Sequence, residues 1–260
     1  MAAPTFLVIG AMKAGTTSLH RYLAAHPQVF AAPDKELNFF VEELNWSRGW
    51  SWYEAQFSDA GSALAVGESS PSYSSYPWRQ GVPERIAAAL PDVRLIYLLR
   101  HPVDRLQSQY FHRAVKEERR PPEEAVFDDR YLGKSLYAQQ VQCYLEYFDR
   151  GNLLLVGSED LSERRVETMA RVFSFVGVNP EWRGEVLGQE YHRTQAKLVD
   201  WRRQESQAKR RWRSWLSRSS HQSPMVFSDK LTAELTERLA DDQHALRALA
   251  PELVARWSLI

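Results

Sequence analysis

"FLVIGAMKAGTTSLHRYL", residues 6–23, decides how the rest of the chain is read. The apolar, β-branched run Thr5–Ile9 ends at Gly10 and reads as a buried strand. Thr16–Ala25 reads as the helix that follows, ended by His26-Pro27. Between them Gly10 and Gly15 have the G-x-x-x-x-G spacing of a phosphate-binding loop, with Thr16 and Thr17 next. A glycine-rich turn from strand to helix lets backbone N–H groups face an anion, helped by the helix dipole. Nucleoside triphosphate loops place their lysine after the second glycine. Here it is Lys13, inside the loop, where it adds a point charge beside the hydroxyls of Thr16, Thr17 and Ser18. On the glycine spacing alone, a plain strand–helix turn with an exposed lysine fits equally well.

Outward from this stretch, strand and helix signals alternate. Strands are expected at Ala63–Val66, at Val93–Leu99 ("VRLIYLL") and at Leu153–Val156. Helices are expected over Val103–Val115, Ser135–Arg150 and Ser162–Val176, with one or two more in Asp229–Leu249. The remainder of Ala31–Pro77, and Pro121-Pro122, read as loops over the core. Such alternation predicts an α/β fold: one domain, residues 1–260, with a central parallel sheet covered by helices on both faces. Ligands of such sheets bind beyond the carboxyl ends of the strands, where Gly10 and Arg100 both fall.

The second informative stretch is "LIYLLRHPVDRLQSQYFH", residues 95–112. It delivers Arg100 to the sheet edge as a bidentate fork, and Ser108 about two helical turns later as a hydroxyl donor. The pair fits one phosphate; the plainer alternative is an ion pair of Arg100 with Asp104 and a solvated serine.

Taken together, "GAMKAGTTSL" and Arg100 with Ser108 resemble the sulfotransferase family, which moves a sulfuryl group from 3′-phosphoadenosine 5′-phosphosulfate (PAPS). "LLLVGSEDL", "VFSFVGV" and "LVARW" extend the resemblance over nearly the whole chain, and it implies a P-loop-like nucleotide-binding architecture. It implies that Lys13, Ala14, Gly15, Thr16, Thr17 and Ser18 hold the 5′-phosphosulfate, and that Lys13 steadies the bridging oxygen as it leaves. Arg100 and Ser108 then hold the 3′-phosphate. The resemblance also implies a late basic loop that meets the nucleotide, for which His192, Arg193 and Lys197 are the candidates; a plain solvated helix is the alternative. No metal is expected, since a sulfuryl group carries less charge than a terminal phosphoryl group.

"KELNFF", residues 35–40, resembles the Lys-Glu-x-His-Phe-Phe motif of family members acting on carbohydrate hydroxyls and of bacterial biosynthetic relatives. The resemblance makes Glu36 the catalytic base, with Phe39 and Phe40 walling the site. Asn38 replaces the motif's histidine. "GESSPSY", residues 67–73, resembles a Glu-Lys-Thr-Pro segment, with Ser69 where lysine would stand. Loss of that cation points away from a highly sulfated or carboxylated acceptor. His101 and His112 are the alternative bases.

Composition sets outer limits. The 260 residues are formally uncharged overall, 44% hydrophobic and 25% charged. Lys197–Arg218 is strongly basic, so the remainder is net acidic and a general grip on nucleic acid is not indicated. Three tryptophans in that segment (Trp201, Trp212, Trp215) suit a lid or a membrane-surface helix. The single cysteine, Cys143, and the absence of a basic leader or an apolar span predict a cytoplasmic protein. The acceptor is a small molecule or carbohydrate hydroxyl. A P-loop kinase or NTPase is the alternative in another reaction class, against which Lys13 and the arginine ending the Val93–Leu99 strand both count. A non-catalytic nucleotide-binding protein is the third.

Overall fold

The computed structural model describes residues 3–114, 117–189 and 226–257. Five strands form one sheet: β1 Phe6–Gly10, β2 Val29–Ala31, β3 Ala65–Ser69, β4 Arg94–Leu99 and β5 Leu153–Gly157. Every neighbouring pair is parallel, in the order β2-β3-β1-β4-β5. β1 lies at the centre, with Val8 paired to Ser69 of β3 and to Ile96 of β4. Its five residues are all buried, as a strand covered on both faces requires.

The helices are α1 Thr16–Ala24, α2 Trp50–Ala55, α3 Val82–Ala89, α4 Pro102–Ala114, α5 Pro122–Ala125, α6 Tyr137–Leu145, α7 Ser158–Glu163, α8 Arg165–Val176, α9 Asp229–Leu249 and α10 Pro251–Ala255. The main core spans the sheet and helices such as α1, α6 and α8. A second cluster joins α4 to α9 through Leu106, Tyr110, Leu231 and Leu235. Ser228 caps α9 by accepting the Leu231 amide at 3.2 Å.

Beyond β1 the chain turns toward β2 and β3; beyond β4 it turns the other way, to β5. The strand order therefore reverses between β1 and β4, and the crevice at their carboxyl ends is where ligands of open α/β sheets bind.

Two expectations need correction, and one strand was not anticipated. Ala31–Pro77 is more than loops with one short strand: it holds α2, and its strand runs to Ser69 and lies inside the sheet. The β3 end is polar in sequence but buried by side chains from elsewhere. The helix expected over Ser162–Val176 starts at Ser158 and breaks at Arg164, whose amide bonds back to the Asp160 carbonyl at 2.8 Å. The three-residue β2 is too short for its pattern to be read.

Candidate active site

The loop between β1 and α1 is built by backbone conformation. Lys13 and Gly15 adopt left-handed φ values of 71° and 101°. Glycine is needed at Gly10 for another reason: a Cβ there would lie 1.9 Å from Ser74 Oγ. α1 begins with no side-chain cap and no acidic residue in its first turn, so its amides and dipole remain suited to an anion.

β4 delivers Arg100 beside this loop. Its Nη1 donates to the Lys13 carbonyl at 3.4 Å, while Nη2 stands 4.0 Å from Asp104. The ion pair with Asp104 is thus long, and the guanidinium is also tied to the loop. Ser108 lies one turn beyond Asp104 on α4. Its Oγ is buried and meets no hydrogen-bond partner among the described residues. An orphaned buried hydroxyl is costly unless a ligand satisfies it.

Lys13, Ala14, Gly15, Thr16, Thr17, Ser18, Glu36, Arg100, Ser108 and His112 all line one cavity of about 730 Å³. The orphaned hydroxyl, the uncapped helix start and the two cations fit the two phosphate-bearing ends of a PAPS-like donor. Arg193 and Lys197, with His192 and the rest of the basic segment, lie outside the described residues. His101 does not line the cavity; its amide is held by Glu159 Oε1 at 3.0 Å and its ring faces Asp104, with burial drawing its pKa down.

Glu36 sits on a tight hairpin. Its φ is 67° and that of Asn38 is 50°. The Glu36 amide donates to the Ser69 carbonyl at 3.0 Å, and its carboxylate, half open to solvent, pairs with Lys35 Nζ at 2.9 Å. Asn38 closes the hairpin by donating from Nδ2 to the Glu36 carbonyl at 2.7 Å, and its Oδ1 accepts from Ser72 Oγ. Phe39 and Phe40 do not wall the cavity. Both are buried in the core, Phe39 stacked on Tyr53 at 4.4 Å between ring centroids. They anchor the hairpin from behind.

Beneath it lies the acid of the "GESSPSY" stretch, to which the sequence assigned no role. Glu68, wholly buried at the end of β3, accepts from Tyr73 at 2.6 Å and Ser70 at 2.7 Å, with Tyr53 at 3.5 Å. Burial pushes its pKa up to about 7 against the pull of these donors. Next to it, Ser69 pairs with His20 Nδ1 at 2.9 Å. Burial, then the Lys35 charge, lowers His20 to about 4, so the pair is neutral at ordinary pH. The far wall of the cavity, between Ser158 and Arg165, begins in the "LLLVGSEDL" stretch, from which no site residue was expected.

A family model, "Sulfotransferase domain", matches residues 3–242. The chain belongs to the sulfotransferase family. It is 29% identical over 201 residues to the bifunctional heparan sulfate N-deacetylase/N-sulfotransferase 2 of Bos taurus, covering 68% of this chain and 22% of that protein. It is 31% identical over 185 residues to the human heparan sulfate glucosamine 3-O-sulfotransferase 6, covering 67% of this chain and 52% of that one. The chain thus spans about a fifth of the first relative's length and about half of the second's. A solved sulfotransferase from Alicyclobacillus acidocaldarius superposes with a TM-score of 0.76 at 27% identity, covering 99% of both chains. Among the described residues, no helix is long and apolar enough to cross a membrane, and no group of three or more His, Cys, Asp or Glu could hold a metal ion.

Proposed function

We propose that this chain transfers a sulfuryl group from PAPS to a hydroxyl of a carbohydrate or small-molecule acceptor. The products are a sulfate ester and adenosine 3′,5′-bisphosphate. The observation that carries this reading is convergence: Lys13 from the end of β1, Arg100 and Ser108 from the end of β4 and α4, and the Glu36 carboxylate all meet one cavity. The names of the heparan sulfate relatives favour a carbohydrate acceptor.

In the transfer, the bond from sulfur to the bridging oxygen breaks and a bond from sulfur to the acceptor oxygen forms. Lys13 and the α1 amides stabilise charge that grows on the departing oxygen. Arg100 and Ser108 hold the 3′-phosphate and so fix the donor's register. Glu36 takes the acceptor proton, and the Asn38 and Ser69 contacts hold its backbone in place.

Two measurements test this. The bisphosphate should bind tightly without magnesium, and labelled PAPS should pass its label to a member of a hydroxyl-acceptor panel. No bisphosphate binding, or binding only with a divalent cation, overturns the reading. A cytoplasmic setting belongs to the same proposal and rests on the lone, half-buried Cys143, whose pKa burial raises; cell fractionation checks it.

A further inference from the structure

Lys134 lies behind the loop that carries Lys13. Its Nζ stands 3.8 Å from the Met12 sulfur, and Met12 is part of the cavity wall. A thioether is a weak acceptor. No carboxylate among the described residues pairs with Lys134. The charges that bear most strongly on it are cationic: Arg105, Arg113, Arg79 and Arg130. Arg79 and Arg113 have partners in Glu43 and Glu117. Arg105 is wholly buried and held only by neutral groups, Ser135, Gln109 and the Tyr131 carbonyl. Arg130 lies over Trp78, 4.8 Å from its ring centroid, and Arg79 stands 5.9 Å from the same ring. Trp78 is 44% exposed.

Gln140 holds the two halves of this surface together. Its Nε2 donates to the Tyr76 carbonyl at 2.7 Å and to the Gly133 carbonyl at 3.1 Å. The segments carrying Trp78 and Lys134 are thereby tied together, and Lys134 touches the cavity wall at Met12, although neither residue lines the cavity itself. Concentrated cations with few counter-charges are expensive unless an anion is to be bound there. An exposed indole flanked by guanidinium groups offers an apolar face for a ring and forks for an oxyanion.

We propose that Lys134, Arg79, Arg130 and Trp78 form an acceptor subsite for a sugar ring bearing a carboxylate or sulfate group. The word acceptor rests on the sulfotransferase reading; binding of the anionic sugar does not. Ser69 removes one expected cation from the site, and this surface supplies others from a different part of the chain. Burial, and after it the surrounding guanidinium charge, draws the Lys134 pKa down to about 7, so an anion arriving at pH 8 restores its proton.

The test is calorimetric titration with p-nitrophenyl β-D-glucuronide, p-nitrophenyl β-D-glucoside and its 6-sulfate, each with and without adenosine 3′,5′-bisphosphate. Wild type should bind at least one of the anionic sugars about tenfold or more tighter than the neutral one. Comparing the two anions tells carboxylate from sulfate. At pH 8, binding should take up a proton, read from buffers of different ionisation enthalpy. Lys134→Gln should lose both the preference and the proton uptake; Lys134→Arg should keep the preference. Trp78→Ala should weaken all three sugars. Equal binding of charged and neutral sugars, no binding of any, or a preference intact in Lys134→Gln overturns the subsite. If the bisphosphate binds normally in those cases, the sulfotransferase reading survives; if the bisphosphate fails to bind while the preference holds, that reading alone falls.

Discussion

Glu68 and Asn38 meet through a single hydroxyl: Ser70 Oγ donates to the Glu68 carboxylate at 2.7 Å and accepts the Asn38 amide at 2.8 Å. A buried carboxyl group at the end of β3 is thereby connected to the hairpin that presents Glu36. Its buried setting has a pH consequence. In the fold Glu68 keeps its proton to about pH 7, whereas a free glutamate side chain loses it near 4.5. Between those values the folded state binds more protons than the unfolded one, so this contribution falls as pH rises. His20 acts in the opposite sense, since its folded pKa is lowered to about 4. The difference between wild type and Glu68→Gln isolates Glu68. The variant should gain about 3 kcal/mol relative to wild type between pH 4.5 and 8, measured by denaturant unfolding at each pH. A flat difference curve would show that the carboxylate is ionised throughout.

Arg100 and Ser108 are expected to read the 3′-phosphate. Arg100→Ala should cost about 2–5 kcal/mol in bisphosphate binding if the charge pair is buried in the complex. Affinity for an analogue lacking the 3′-phosphate should barely change. Ser108→Ala removes a hydroxyl that has no partner among the described residues. It should weaken bisphosphate by about 1–3 kcal/mol while leaving thermal stability unchanged or raised. Equal losses for both nucleotides would assign Arg100 to the fold instead.

Lys13, held inside the loop at a φ of 71°, should matter more for turnover than for binding. Charge on the departing oxygen grows toward the transition state, where a fixed cation counts most. Lys13→Ala should lower turnover on the order of 10²-fold or more, read under saturating PAPS. A near-normal rate would remove Lys13 from the chemistry.

Glu36→Gln keeps the hairpin's shape and removes the proton acceptor. Bisphosphate should bind as in wild type, and turnover should fall roughly 10²–10⁴-fold. Alcohol acceptors should suffer more than acidic phenols, which release their proton readily. If an alcohol is still sulfated near the wild-type rate, His112, which lines the same cavity, becomes the base to test.

Much of the fold was legible because its signals are local. Contiguous apolar runs mark β1, β4 and β5, and the glycine pair with the following threonines marks the anion loop and the start of α1. Arg100 and Ser108 could be placed because strand end and helix pitch fix their spacing. The α/β class, the glycine loop after β1 and the Glu36 motif are therefore readable from the chain's own local patterns.

The tertiary structure alone decided the rest. Glu68 and Ser69 look like polar loop residues until Tyr73, Tyr53 and His20 are brought around them. Phe39 and Phe40 turn into the core because Tyr53, contributed by α2, packs against both. Lys134 reaches Met12 across 122 positions of sequence, and the Ser158–Arg165 wall meets Lys13 only because β5 lies beside β4. Whether a polar side chain is buried, paired or aimed at a cavity depends on groups distant in the chain, and no local pattern encodes that company.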